Sequence, residues 1–276
     1  MSHSLAGFHL LVTRPTAQAQ AWATQLQDLG AAVTQEPMLA IEPLSDSGQD
    51  SDKTLLETAK QHVLQLDSYQ KLLFVSQNAV ENFMPWLDQY WPQLPVGLDF
   101  FAIGASTAKQ LQISLNQLDT VAGGHTDSAM NSEALLNLPA LQAVNGEKIA
   151  IVRGVGGRTL LGDTLSQRGA TVDSIAVYRR IAPMISDWHN VKDFINDHTT
   201  DHKIIVTHSA ETIENLCKLT PQYLLNKLKT LPLLVPGKRV CDYGHQKGFN
   251  TIITAHNATH ASMIEALYDW QQRQTQ

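Results

Sequence analysis

The sequence predicts an α/β protein assembled from parallel βα units. Three observations carry that expectation: short apolar runs that recur along the chain, segments of helical period between them, and a polar or glycine-containing turn after each run. The runs occupy residues 8–12 (FHLLV), 71–75 (KLLFV), 100–103 (FFAI), 148–152 (KIAIV), 203–207 (KIIVT) and 232–235 (PLLV). Each is too short for a helix and rich in Val, Ile, Leu and Phe, so each reads as a buried strand.

The intervening elements follow from the same patterning. Residues 18–29 place Trp22, Leu26 and Leu29 on one helical face, and Gly30 stops the helix. Residues 158–168 repeat the design and stop at Gly169. An extended segment follows each helix, from Ala32 on to Leu39 and Ile41, and from Val172 on to Val177 and Tyr178. Pro37 and Pro43 beside the first and Pro183 beside the second argue for exposed extended chain instead of a central strand. The stretch 45–53, SDSGQDSDK, reads as a solvated surface loop leading into a helix at 54–66.

Composition narrows the function classes. Among 276 residues, 43% are hydrophobic and 17% charged, as in a globular protein, and one large domain or two ordinary ones would fit. Twenty basic against 26 acidic residues leave a formal charge of −6, which offers nothing to a nucleic-acid backbone or an anionic membrane. Cys217 and Cys241 have neither CxxC nor Cys/His ligand spacing, and the 11 histidines form no HExxH. No GxSxG elbow is present, so covalent nucleophilic catalysis has no support. The first residues lack a basic n-region, and no run approaches the roughly 18 apolar residues of a membrane span. A cytoplasmic protein is the expectation.

The chain also repeats itself. LLVTRP, a helix and LGAAVTQEPMLAIEP correspond to IAIVRG, a helix and RGATVDSIAVYRRIAP. LLFVSQNAVENF with FFAIGASTAKQL corresponds to IIVTHSAETIENL with LLVPGKRVCDYG. The order is therefore A1, B1, A2, B2, and a plain tandem duplication would place a boundary near Asn145.

In doubly wound sheets, ligands lie beyond the carboxyl ends of the strands, and every polar turn here falls at such an end. Thr13-Arg14, Ser76-Gln77-Asn78, Thr107, Arg153-Gly154, Thr207-His208-Ser209 and Gly237-Lys238-Arg239 supply hydroxyls, amides and cations with few carboxylates. Donors without acids suit a ligand bearing carboxylates or phosphates. Each Ser or Thr could equally be a plain helix cap. RGVGGR fits neither the dinucleotide fingerprint nor the phosphate loop. A non-catalytic two-domain small-molecule binding protein would use the same loops, and a nucleotide-dependent α/β enzyme would read RGVGGR as a phosphate turn.

The string RGVGGRTLLGDTLSQRGATVDSIAVYRR, residues 153–180, resembles the most characteristic segment of the uroporphyrinogen-III synthase family, whose pattern is strand, RGxxGR, helix, RGAxVD, YRR. VTRP, VSQNAV and AIGASTAKQL fall in family order, so the agreement runs from about residue 10 to 267. Two turns depart from the family: His208 stands in the place corresponding to Ser76, and PGKR replaces a Ser-containing turn. The resemblance implies two doubly wound parallel-sheet domains of similar topology, joined by a two-stranded linker, with a cleft between them. One domain would comprise 1–38 and 183–276, the other 44–176, and the linker strands 38–43 and 177–182. It implies hydroxymethylbilane as substrate, its cyclisation with inversion of the last pyrrole ring, no cofactor or metal, a monomer, and transient contact with the preceding hydroxymethylbilane synthase. The substrate's eight carboxylates would occupy the donor turns. Tyr178 would deliver the proton to the leaving hydroxyl or else pack the linker, and Arg153 and Arg158 would be partly structural.

Overall fold

A computed structural model describes residues 4–45, 50–115, 121–122 and 132–274. The chain runs β1 (Phe8–Val12), α1 (Thr16–Asp28), β2 (Ala32–Gln35), β3 (Ala40–Pro43), α2 (Asp50–Leu64), β4 (Lys71–Phe74), α3 (Gln77–Tyr90), β5 (Asp99–Ala102), α4 (Ala105–Leu115), β6 (Val121–Ala122) and α5 (Ser132–Leu136). It continues through β7 (Lys148–Gly154), α6 (Leu160–Gln167), β8 (Thr171–Ile181), α7 (His189–Asn196), β9 (His202–Val206), α8 (Ala210–Leu219), α9 (Gln222–Leu228), β10 (Leu233–Pro236), α10 (Gly237–Gln246), β11 (Ile252–Ala255) and α11 (His260–Gln274).

Two sheets result. One is ordered β11-β10-β9-β1-β2 and the other β3-β8-β7-β4-β5-β6. The ladders of the first are parallel, as are those joining β8, β7, β4, β5 and β6 in the second. Counted within the sequence repeat, both five-strand sets have the spatial order 2-1-3-4-5 of a doubly wound sheet, with β3 added beside β8. The chain divides into two compact units, Met1–Ala40 with Ile181–Gln276, and Ile41–Arg180. A boundary near Asn145 does not occur, because β1 pairs with β9 instead of β4. Each sheet takes an A half from one copy of the repeat and a B half from the other.

The apolar runs are continuous because both faces of the central strands are covered. Phe8, Leu10 and Val12 pack with Trp22 and Leu26 on one face, while Leu11 packs with Val191 and Phe194 on the other. In the second sheet, Leu72, Phe74, Ala150 and Val152 face Val80 and Phe83, and Leu73, Ile149 and Ile151 face Leu161 and Leu165. Burying one such large side chain stabilises the fold by about 1.5–3 kcal/mol.

Two sequence expectations need correction and a third is refined. Residues 172–178 are not exposed extended chain; they belong to the eleven-residue β8 between β3 and β7, where Ile175, Val177 and Tyr178 are buried. Pro183 lies past the strand's end, so its missing N–H removes no ladder bond. The first extended segment divides into β2 and β3, each at a sheet edge, with Pro37 between them and Pro43 closing β3. The loop expected at 45–53 gives way to helix at Asp50, because Asp52 is buried in an ion pair with Arg179; residues 46–49 lie outside the described residues. β11 was not anticipated.

Candidate active site

A 2-1-3-4-5 sheet has its switch point between the strands that begin each half, and their carboxyl ends open a crevice there. These ends are β4 and β7 in the six-stranded sheet, and β1 and β9 in the five-stranded one.

At the β4/β7 point, Ser76 is the N-cap of α3, and its hydroxyl oxygen accepts from Ala79 N–H at 3.1 Å. The same hydroxyl lies 3.1 Å from the Tyr178 phenol oxygen. Tyr178 reaches it because the neighbouring strand ends in Gly154: a Cβ there would stand 2.7 Å from Cε2 and Cζ of the ring. Only glycine lets the phenol lie on the β7 backbone. Val155 N–H then donates to Tyr178 C=O at 2.8 Å, fixing the strand that carries it. Arg153 turns onto the Gly156 carbonyl, consistent with the structural share expected of it. A cavity of about 280 Å³ opens here, with Ser76, Arg153, Gly154, Arg158, Tyr178 and Arg180 in its lining. Its lining also includes Ser132, which the sequence did not single out. Arg179 is not available to a ligand carboxylate beside Tyr178, since it pairs with Asp52. Gln77 and Asn78 form the first turn of α3, and Thr107 is buried in the first turn of α4.

At the β1/β9 point, the Thr13 hydroxyl is consumed inside the sheet, donating to Val206 C=O at 2.7 Å. Thr207 is fully buried and its hydroxyl has no hydrogen-bond partner among the described residues. Arg14 donates to Gln18 Oε1 at 3.2 Å and to His260 Nε2 at 3.1 Å. His208 and His260 flank the Trp22 indole, with ring centroids 4.8 and 5.3 Å away. Burial pushes both histidines below the ordinary imidazole value, and the Arg14 charge adds to it.

The place given to His208 by the sequence repeat is off by one residue. Val12 pairs with Val206, and its repeat mate Ile151 pairs with Leu73; three residues on from these partners stand Ser209 and Ser76. Both are N-caps with nearly the same backbone, φ −157° and −166°, and both accept from the N–H three residues later. Ser209 is therefore the counterpart of Ser76, and His208 that of Val75, so its side chain is free of capping and turns against Trp22. The PGKR turn likewise keeps its geometry: Gly237 has φ +73° where Gly104 has +81°, a region costly for other residues.

Gly237 and Lys238 line a separate hollow of about 630 Å³ that also contains Glu265 and Asp269. Lys238 pairs with Asp242 at 3.1 Å, and Arg239 is exposed on α10. Two carboxylates in that lining oppose a polyanion, which sets this turn apart from the other five. Sequence reading placed Trp22 in the core and missed His260 altogether. The latter carries no local signal, standing 246 residues from the arginine it holds.

Comparison with known proteins agrees with this architecture. The family model described as uroporphyrinogen-III synthase HemD matches residues 20–265. A uroporphyrinogen-III synthase of Escherichia coli K12 is 31% identical over 265 residues, covering 94% of this chain and 99% of the relative. One from Salmonella typhimurium is also 31% identical, again over 94% and 99% of the two chains. In solved structures, uroporphyrinogen-III synthetase of Helicobacter pylori is similar in fold, with a TM-score of 0.58 at 11% identity, over 95% of this chain and 99% of the other. A mutant uroporphyrinogen III synthase from Thermus thermophilus gives 0.56 at 18%, over 96% and 99%. With a family match across most of its length and relatives near a third identical end to end, the chain belongs to the uroporphyrinogen-III synthase family.

Proposed function

We propose that this chain converts hydroxymethylbilane to uroporphyrinogen III and water, inverting the last pyrrole ring, in tetrapyrrole biosynthesis. Full-length similarity to proteins of that name supports the activity. The observation that carries the chemistry is the Tyr178 phenol on the Ser76 cap, in a cavity shared with Arg153, Arg158 and Arg180. A non-catalytic binding protein is not favoured.

The phenol O–H gives its proton to the departing hydroxyl, which leaves as water and converts the terminal pyrrole methylene into a protonated azafulvene, its pyrrole N–H retained. The substituted carbon of the last ring attacks that methylene, forming a spiro centre. The bond from this carbon to its original bridge breaks and re-forms at the ring's other, unsubstituted α-carbon, and loss of the proton on that carbon restores the pyrrole. The phenolate, hydrogen-bonded by Ser76, can take that proton back, so atoms and charge balance. Positioning dominates such a reaction, because the open bilane also closes without inversion. A general acid adds about 10² to 10⁴-fold.

In this reading Ser76, Gly154, Arg153 and the α3 and α8 turns (Gln77, Asn78, Ser209) receive substrate groups along with Arg14, while His208, its ring buried against Trp22, backs the Arg14 end of the site. The Thr13 hydroxyl holds the end of β1 to β9, and Thr107 and Thr207 are buried beside the turns. Residues 38–43 and 177–182 serve as the linker strands of a two-domain enzyme. A monomeric, cytoplasmic protein that meets hydroxymethylbilane synthase transiently completes the proposal. No helix among the described residues is long and apolar enough to cross a membrane.

The test is purified protein with hydroxymethylbilane, no added metal or cofactor, and isomer analysis after oxidation. Mainly type III product is expected, with little effect of chelator. Type I alone, the product of spontaneous closure, would sink the reading.

A further inference from the structure

The Arg14 guanidinium has two neutral acceptors at the exit of β1, Gln18 Oε1 and His260 Nε2. A guanidinium has donors only, so the bond at 3.1 Å to His260 exists while Nε2 carries a lone pair, that is, while the imidazole is neutral with its proton on Nδ1. Several features favour that state. His260 is the first residue of α11, where the helix dipole opposes a cation. Its ring stacks on Trp22 at 26° between planes, which fixes its orientation. Burial, then the Arg14 charge, hold it below the ordinary histidine range.

Among the described residues the guanidinium has no counter-ion. Edge-on to Trp22, both ring nitrogens of His208 are sealed from solvent and have no hydrogen-bond partner among the described residues. No ion pair joins Arg14 to a carboxylate among the described residues, and its burial lowers its own proton affinity. A cation set among uncharged rings gains most from an incoming carboxylate, because little water must be removed from it.

We propose that His260 is the positioning residue for Arg14: its neutral imidazole holds the guanidinium at the end of β1, where it takes a substrate carboxylate, and lets it go on protonation. This rests on the reading that Arg14 meets substrate. The charged or titratable groups facing His260 are Arg14 at the β1 exit and His208 at the β9 exit; α1 adds the uncharged Trp22 and Gln18. Protonated Nε2 would present a donor and a positive charge to Nη1. The hold is therefore intact at neutral and alkaline pH, and is lost as pH falls below the usual histidine value and through the lowered one.

The experiment measures KM and kcat for hydroxymethylbilane from about pH 5.5 to 8.5 in wild type, His260→Leu, His260→Gln, Arg14→Ala and the Arg14→Ala/His260→Leu double variant, with a melting curve for each. His260→Leu should raise KM by about three- to tenfold at pH 8 with little change in kcat. Glutamine, whose amide oxygen accepts at every pH, should recover most of that KM and abolish the rise in KM seen on the acid side in wild type. Arg14→Ala should match His260→Leu, and the double variant should be no worse. Wild-type KM and pH profile in folded His260→Leu, beside a raised KM in Arg14→Ala, overturns the positioning role and leaves Arg14 as a contact. An acid-side rise retained in His260→Gln also overturns it. Unchanged KM in Arg14→Ala overturns instead the reading of Arg14 on which the proposal stands.

Discussion

Replacing Gly154 by alanine isolates the position of Tyr178 from its chemistry. The Gly154 backbone does not lie in the left-handed region, so only the added methyl matters, and it would stand 2.7 Å from Cε2 and Cζ and 3.1 Å from the phenol oxygen. Carbon pairs rest at about 3.5–4.0 Å, so the ring must move by about 1 Å. It is 5% exposed and packed in the core, and such overpacking costs about 1–3 kcal/mol of stability. The hydroxyl travels with the ring, off its 3.1 Å bond to Ser76. Misplacing a reacting group by about 1 Å costs about a hundredfold at most, so kcat should fall about 10- to 100-fold and KM much less. Initial rates and the III:I isomer ratio would be measured on Gly154→Ala, Tyr178→Phe and the double variant, with melting curves to establish folding. Both single changes remove the same hydroxyl from its place, so the double should be no slower than Tyr178→Phe. A folded Gly154→Ala enzyme with wild-type kcat, or losses that multiply in the double, would refute the argument.

Three further outcomes are expected. Tyr178→Phe keeps the ring's packing and should lower kcat about 10- to 100-fold, below the usual general-acid range because the electron-rich pyrrole already assists departure of hydroxide; the type I fraction should rise with it. Single changes Arg153→Ala, Lys238→Ala and Arg239→Ala should each raise KM by less than about tenfold, roughly 1.4 kcal/mol, with Lys238 and Arg239 the weaker; a hundredfold effect at one would mean that charge pairing carries the substrate. Glu214 accepts from Lys247, Tyr243 and Lys218, which together hold its carboxyl down at about 2. A depressed carboxylate stabilises the fold above its unfolded value near 4.3 and loses that contribution as pH falls through the folded value. Urea unfolding should therefore show Glu214→Gln less stable than wild type at pH 7, with the difference closing toward pH 2; an unchanging difference would assign the effect to packing.

The sequence disclosed the central strands because a strand covered on both faces leaves an unbroken apolar run, as FHLLV and KIAIV do. It hid β11, whose Thr254 is exposed, and Val121–Ala122, too short to show a period. Proline near residues 172–178 suggested exposed chain, yet the deciding quantity was which side of the strand's end the proline falls on. The site was half visible. Strand-end turns marked the residues proposed to meet substrate, but only the ladder register separates Ser209 as cap from His208 as the side chain free of capping. Tyr178 was legible through the family segment, whereas its dependence on Gly154 needs the distance between adjacent strands. His260 had no signal, since its contact is with an arginine 246 residues away in the chain.

The exchange of halves between the two sheets also sets an order in time. Every strand of the six-stranded sheet lies between Ala40 and Ile181, so its full complement has been synthesised before the remaining strands β9, β10 and β11 of the other sheet. The other sheet has only β1 and β2 by then, and two strands alone are marginal in water. Its central ladder closes when Val206 arrives to meet Thr13, 193 residues after that threonine was added. The entropy of such a closure grows only slowly with length, but it must be met before any contact rewards it. A nascent chain stopped short of residue 202 thus holds one complete sheet and one bare strand edge, and the vulnerable interval in this protein's manufacture belongs to its first forty residues.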